Sequence, residues 1–243
     1  MNVGLSVQLG IQGSVRPLVP IWLDVGSVGA TSTWAGSYHV LAMGRHYDDY
    51  MVTPRIPNLP SIPGFPAAHP YERLAGKIRA PGITGNIGEA IAALFARRYL
   101  NAGTGDVAHI KPRRPFRRRR SPDYMMRLGG LLPGVFSAIL PNLATFTWPT
   151  WMPVESKARS TDAGAAGARR DALRQLTAYW TMLAGSQPGA AGYGIVVTFN
   201  YQLPREVRAS LFIPSNQTRL ISELLKTGDD TPESVVRECV YGG

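Results

Sequence analysis

The stretch of sequence that decides the fold is residues 154–159, which read VESKAR. Successive side chains of a β-strand point to opposite faces, so Glu155 and Lys157 are predicted to share one face. Val154, Ser156 and Ala158 then point to the opposite face, where they can face a core. Phosphodiester cleavage uses such a pair, because carboxylates hold Mg²⁺ while a cation orients the water or steadies the scissile phosphate.

Asp123 is the natural source of the second carboxylate that a hard, oxygen-preferring ion requires. It heads a short apolar strand candidate at 123–128, and the pair Pro122-Asp123 occurs once in the chain. A hairpin or a split pair of strands would bring Asp123 beside Glu155, which follows 155 − 123 = 32 positions later. Pro149 and Pro153 interrupt the approach to the second strand, since proline cannot donate to a central ladder, although Pro153 can begin it.

The two segments together resemble the signature of the PD-(D/E)XK nuclease superfamily. That superfamily includes most type II restriction endonucleases, several phage and repair exonucleases, and junction resolvases. Pro122-Asp123 matches the first half of the signature and Glu155-Ser156-Lys157 the second, and no other acid in the chain stands two residues before a lysine. By the order of elements the resemblance covers about residues 82–213, and it is specific at five positions.

The resemblance implies a site and a cofactor. Asp123, Glu155 and the backbone carbonyl of Ser156 would bind Mg²⁺ or Mn²⁺, and Lys157 would assist the nucleophilic water. The alternative for Glu155 and Lys157 is an ion pair on the surface of an edge strand, which would carry no chemistry.

Two further positions resemble family features. Glu89 matches an acidic residue that many members place near the metal, although Asn86 to Glu89 also has the pattern of a helix capping box. Gln175 lies in the helix after the Glu-x-Lys strand, where several members carry a glutamine near the site. A solvated position beside the apolar stripe of that helix is equally compatible with Gln175.

The chain is strongly basic, with a formal net charge of +10 and a pI of about 10.1. A polyanion is therefore the first partner to consider, because phosphates bind clustered Lys and Arg with release of counterions. Residues 111–120 read KPRRPFRRRR and directly precede the segment with Asp123. The predicted nucleic-acid-binding residues are Lys111, Arg113, Arg114, Arg117, Arg118, Arg119 and Arg120. A disordered basic tail or a localisation-type patch is the alternative.

The segments around the signature predict alternating helices and strands. Helices are indicated at 86–98, after a small-residue loop at 161–167, and at 218–226, and strands at 195–199 and 207–213. The stretch 131–139 fits a short helix or a hairpin. This order favours an α/β fold with a restriction-endonuclease-like mixed central sheet flanked by helices, over residues 81–243.

Residues 1–80 are predicted to form a β-rich N-terminal extension. Apolar residues alternate along 3–11, as in a strand with one buried face, and further apolar patches lie at 18–25 and 38–43. Within 53–70, prolines recur at every third position from Pro54 to Pro66, which is the period of a polyproline II helix. Such a strap could cross its own domain, embrace a second subunit in a homodimer, or dock on another protein.

Several other classes of site are disfavoured. Cys239 is the single cysteine, which excludes an intramolecular disulfide and a cysteine-rich zinc site. The four histidines lack convincing metal-ligand spacing, and neither a phosphate-cradling Gly-x-x-x-x-Gly-Lys loop nor a Gly-x-Ser-x-Gly elbow occurs. Since no run approaches the roughly 20 apolar residues of a membrane span, we expect a cytoplasmic protein without a membrane partner.

The functional expectation is a metal-dependent endonuclease that hydrolyses DNA, of a restriction-type or mobile-element-associated kind. A nuclease of the same fold acting on RNA, or on branched or single-stranded DNA, is the first alternative. The second is a non-catalytic nucleic-acid-binding or assembly protein that uses the run 111–120, and it predicts metal-independent binding that survives Lys157→Ala.

Overall fold

The structure is a computed structural model that describes residues 2–10, 19–22, 71–73, 106–112, 120–128, 148–159, 163–200 and 206–241, with positions 92, 95, 96, 99, 100 and 136. Its strands are β1 Asn2–Leu9, β2 Val19–Trp22, β3 Tyr71–Arg73, β4 Val107–Pro112, β5 Tyr124–Arg127, β6 Trp151–Arg159, β7 Gly194–Asn200 and β8 Glu206–Phe212. Its α-helices are α1 Ala163–Ala184, α2 Gln217–Thr227 and α3 Glu233–Cys239.

The strands form one mixed sheet in the order β2-β1-β8-β7-β6-β5-β4-β3. The pairs β6–β7 and β1–β8 are parallel, whereas β5–β6 and β7–β8 are antiparallel. A parallel pair needs a crossover connection, and α1 lies in the connection between β6 and β7. The predicted α/β class with a mixed sheet flanked by helices is therefore confirmed.

Two apolar layers cover the sheet. On one face, α1 buries its apolar stripe, formed by Leu173, Leu176, Trp180 and Leu183, together with residues of α2 and α3. On the other face, alternate residues of β1, β6, β7 and β8 pack with helical positions that include Phe95. Because both faces are covered, the inner strands are buried almost throughout, and polar side chains on them need a specific explanation.

The N-terminal strand belongs to this central sheet. The alternation at 3–11 predicts a strand, and β1 is that strand, running parallel to β8 with Gly4 opposite Glu206 and Leu9 opposite Leu211. Its alternate apolar residues are buried in the core layer that includes Phe95. A single strand cannot cover its own apolar face, so that face packs against the rest of the core. The sheet thus crosses the predicted division at residue 80 between extension and core.

Other elements differ from the predictions or lie outside the described residues. Helix α1 begins at Ala163, inside the predicted loop 161–167, because the alanines there favour helix. Strand β4 and helix α3 were not predicted. Of the predicted helix at 86–98, positions 92, 95 and 96 are described and helical. The polyproline segment 53–70, the patch 38–43 and nearly all of 131–139 lie outside the described residues.

Candidate active site on strands β5 and β6

The register of β5 and β6 brings the two halves of the signature together. Tyr124 is opposite Val154 in the antiparallel ladder, so the preceding Asp123 and the following Glu155 come next to each other. Asp123 and Glu155, 32 positions apart in the sequence, are therefore partners in this register.

Pro153 does not disturb the central ladder. The parallel pairing of β6 with β7 begins at Val154, opposite Ile195. The missing N–H of Pro153 therefore costs that ladder no hydrogen bond. Pro153 lies opposite Met125 of β5, and the strand begins before it, at Trp151.

Asp123 and Glu155 exchange hydrogen bonds with each other's segments. The Asp123 N–H donates to Glu155 Oε2 at 3.1 Å. Asp123 Oδ2 accepts the Ser156 N–H at 2.9 Å and the Ser156 hydroxyl at 2.6 Å. Both carboxylates are thereby fixed where the β5–β6 ladder ends, and backbone donors support them.

Lys157 completes the cluster. Its Nζ contacts Glu155 Oε1, and the side chain is 17% exposed, whereas that of Glu155 is fully buried. Strand β6 lies between β5 and β7. This position and burial rule out the alternative of a surface ion pair on an edge strand.

Burial sets the electrostatics of the site. Loss of solvent, followed by the proximity of Asp123, raises the pKa of Glu155 well above its ordinary 4.5. Burial alone would lower the pKa of Lys157, but the Glu155 and Asp123 carboxylates more than offset that effect and raise it above its ordinary 10.5. Lys157 is therefore a cation at neutral pH.

Gln175 supports the site from helix α1. Its side-chain Nε2 donates to the backbone carbonyl of Ser121 at 2.9 Å, two residues before Asp123. Leu173 and Leu176 beside it are buried in the core. The predicted glutamine is thus near the site and holds the segment that carries Asp123.

The remaining predicted site residues are described only in part. Arg120 is exposed and borders a cleft with Arg174, Asp229 and Asp230. The backbone of Lys111 pairs with Glu72 in the β3–β4 ladder. The Lys111 side chain and the predicted residues Glu89, Arg113, Arg114, Arg117, Arg118 and Arg119 lie outside the described residues.

The donor set fits a hard divalent cation of the Mg²⁺ type. Within the described ranges there is no group of three or more acidic, histidine or cysteine side chains placed to hold a metal. Mg²⁺ does not need one, because it typically binds through one or two carboxylates and keeps waters or substrate phosphates in its remaining positions. Asp123 and Glu155 with one Lys157 leave a net negative charge when ionised, which a cation would neutralise.

Sequence reasoning missed two features near the candidate site. The Ser156 hydroxyl, predicted to point away from the site, binds Asp123. Farther along the sheet, Lys157 is in register with Thr198, and Thr198 with Arg208. Alternation within β8 could have placed Arg208 on a defined face, but its neighbours across the sheet depend on strand order.

Comparison with family models, with curated proteins and with solved structures finds no match to this chain. In the part of the chain that the structure describes, no helix has both the length and the apolar character needed to cross a membrane.

Proposed function

We propose that this chain is a metal-dependent nuclease with a restriction-endonuclease-like core, and that it hydrolyses DNA phosphodiester bonds as a restriction-type or mobile-element-associated endonuclease. The observation that carries the proposal is the hydrogen-bond exchange between Asp123 and the Glu155-Ser156 segment, with Lys157 on Glu155. Two short motifs distant in the chain converge at one buried point. If each motif were present only by chance, there would be no reason for the fold to bring the two together.

The chemistry divides among the three residues. Asp123, Glu155 and the carbonyl of Ser156 would hold Mg²⁺, or Mn²⁺ in its place. When bound, the ion would supply Lewis-acid chemistry by activating water and neutralising charge on the phosphate. Lys157, a cation because of its raised pKa, would orient the water and stabilise phosphate charge through Nζ, rather than remove a proton. Gln175 is a positioning residue, because it acts through Ser121.

The test is cleavage of supercoiled, linear and single-stranded DNA, and of RNA, with Mg²⁺ or with EDTA. We expect Mg²⁺-dependent cleavage that falls by at least about 100-fold in Glu155→Ala and Lys157→Ala. Glu238→Gln, which alters an exposed carboxylate on α3, is the control and should cleave normally.

Asp123→Asn separates chemistry from folding. The amide oxygen of asparagine can still accept from Ser156, so thermal stability should stay close to that of the wild type, while cleavage is lost with the negative charge. Metal-independent binding without cleavage of any substrate would refute the nuclease and favour a binding or assembly protein that uses the run 111–120.

A further inference from the structure

The sheet face that carries Glu155 and Lys157 stays polar beyond the candidate active site. One row of paired residues crosses β6, β7, β8 and β1 and consists of Lys157, Thr198, Arg208 and Ser6. The next row on the same face, two residues farther along the strands, contains Arg159, Asn200 and Glu206. Helix α1 covers the other end of this face with Leu173, Leu176 and Trp180. Polar side chains on inner strands are costly unless they have partners or a function.

These polar residues border a cleft of about 220 Å³. It is lined by Arg159, Arg169, Thr198, Phe199, Asn200, Glu206 and Arg208. The volume is several times the roughly 30 Å³ that one molecule occupies in liquid water. Three guanidinium groups from β6, α1 and β8 thus meet around a space large enough for a small anionic group.

The cleft has an excess of positive charge. Among its described lining residues Glu206 is the one carboxylate, and it already accepts from Ser6 at 2.7 Å and from Arg208 at 3.3 Å. Arg159 approaches Asp171 only at 3.9 Å, and that carboxylate is 55% exposed. Among the described residues Arg169 has no ion pair or hydrogen bond. Burial, and then Arg208, lower the pKa of Arg169, although Glu206 opposes this.

The three guanidinium groups repel one another, and holding them together costs free energy. Such a cluster indicates a binding site for an anionic ligand. Arginine binds phosphate through two parallel N–H donors. Arg159 lies two residues beyond Lys157, roughly 6.6 Å along an extended strand, and Arg208 lies two strands away, roughly 9.6 Å across the sheet. These are distances between backbone positions, and the long arginine side chains can reach phosphates one or two positions from the one at Lys157.

We propose that Arg159, Arg169 and Arg208 form a phosphate subsite that holds the nucleic-acid strand one or two phosphates from the scissile bond. This inference rests on the proposed nuclease function for the neighbouring site. The shared chemistry is a phosphate group, supplied either by the interior of a strand or by a phosphorylated strand end.

The first test needs no cleavage. Inorganic phosphate should raise the thermal stability of the wild type in a concentration-dependent manner, as a ligand of the folded state does. Arg169→Gln should fold, because it relieves like-charge repulsion, and should lose most of this increase. The control is Arg170→Gln, the adjacent α1 residue, whose side chain is 58% exposed and pairs with Glu233. Equal increases in all three proteins would overturn the proposal.

The second test identifies the source of the phosphate by binding in EDTA. We expect Arg169→Gln to bind DNA about tenfold more weakly, in line with a lost charge-assisted hydrogen bond. If the subsite takes an internal phosphate, the defect appears on a closed circular duplex. If it takes a strand end, the defect appears only on linear duplexes with a terminal phosphate and is absent with hydroxyl ends.

Failure of this proposal and failure of the proposed function are distinguishable. Mg²⁺-dependent cleavage with unchanged DNA binding by Arg169→Gln would overturn the subsite and leave the nuclease intact. Loss of binding in Arg169→Gln without cleavage by the wild type would support the strand-binding cleft and refute the nuclease.

Discussion

At the scale of the residue, the properties of Glu155 depend on residues that are distant in the sequence. In the segment VESKAR, Glu155 is an acid two residues before a lysine. The alternation of side chains along a strand is enough to place Glu155 and Lys157 on the same face. Its complete burial, and the N–H that Asp123 donates to it, come from the β5–β6 register. The identity of the candidate site residues could thus be predicted from the sequence, whereas their protonation behaviour could not.

Stability should depend on pH through Glu155. A folded-state pKa above the ordinary 4.5 means that the contribution of Glu155 to stability is complete below that value and is lost as pH rises through the raised pKa. In EDTA, as pH rises from about 5 to about 8, the unfolding free energy of the wild type should fall more than that of Glu155→Gln. Denaturant titration at each pH measures this difference.

Two features make this measurement specific. The raised pKa of Lys157 acts only above its ordinary 10.5, outside the window. Saturating Mg²⁺ should flatten the wild-type profile, because a bound cation favours the ionised carboxylate. Parallel profiles of wild type and Glu155→Gln in EDTA would show that burial does not hinder ionisation of Glu155.

At the scale of elements, local pattern predicted most strands and helices near the site but not their neighbours. The alternation at 3–11 and the stripe on α1 identify β1 and the face that α1 buries, since both signals are local. Strand β1 pairs with β8, which is more than 190 residues away in the sequence. This pairing depends on which edge of the sheet allows Leu5 and Val7 to be buried in the core. Helix α3 was missed because its seven residues are too short for a periodic signal.

The turn before β7 gives a prediction for an element junction. Gly192 has φ +91°, and a Cβ there would lie 2.9 Å from Pro214 Cβ and 3.0 Å from Leu220 Cδ2. Gly192→Ala should therefore cost about 1–3 kcal/mol in backbone strain, with overpacking against α2 in addition. Thermal denaturation should show a fall of several degrees. Gly185→Ala, where nothing lies within 4 Å of a Cβ, is the control, and an equal fall there would contradict the steric explanation.

At the scale of the whole molecule, arginines form two clusters, and only one of them is visible in the sequence. The formal charge of +10 predicts a polyanionic partner. The arginines split into the run 111–120, which local sequence reveals, and the cleft of Arg159, Arg169 and Arg208, which only strand order assembles. The two clusters have different expected roles, because a dense run of charges along the chain gives affinity and salt dependence, while guanidinium groups held in a cleft position one phosphate.

The salt dependence of DNA binding should separate these roles. Each phosphate contact contributes roughly 0.9 to the slope of log affinity against log salt concentration. Replacing Arg117–Arg120 with glutamine should therefore reduce that slope by up to roughly 3 to 4, whereas Arg169→Gln should reduce it by roughly 1. Fluorescence anisotropy in EDTA at several salt concentrations measures both slopes without cleavage.

A control with the same charge tests whether position matters. Four exposed basic side chains, when replaced together with glutamine, lower the formal charge from +10 to +6 just as the Arg117–Arg120 variant does: Arg127, Arg170, Arg219 and Lys226. If the run contacts DNA, this variant should retain most of the wild-type slope. If both variants lose the same slope, binding follows net charge alone, and the run adjacent to Asp123 has no special part in bringing the backbone to the site.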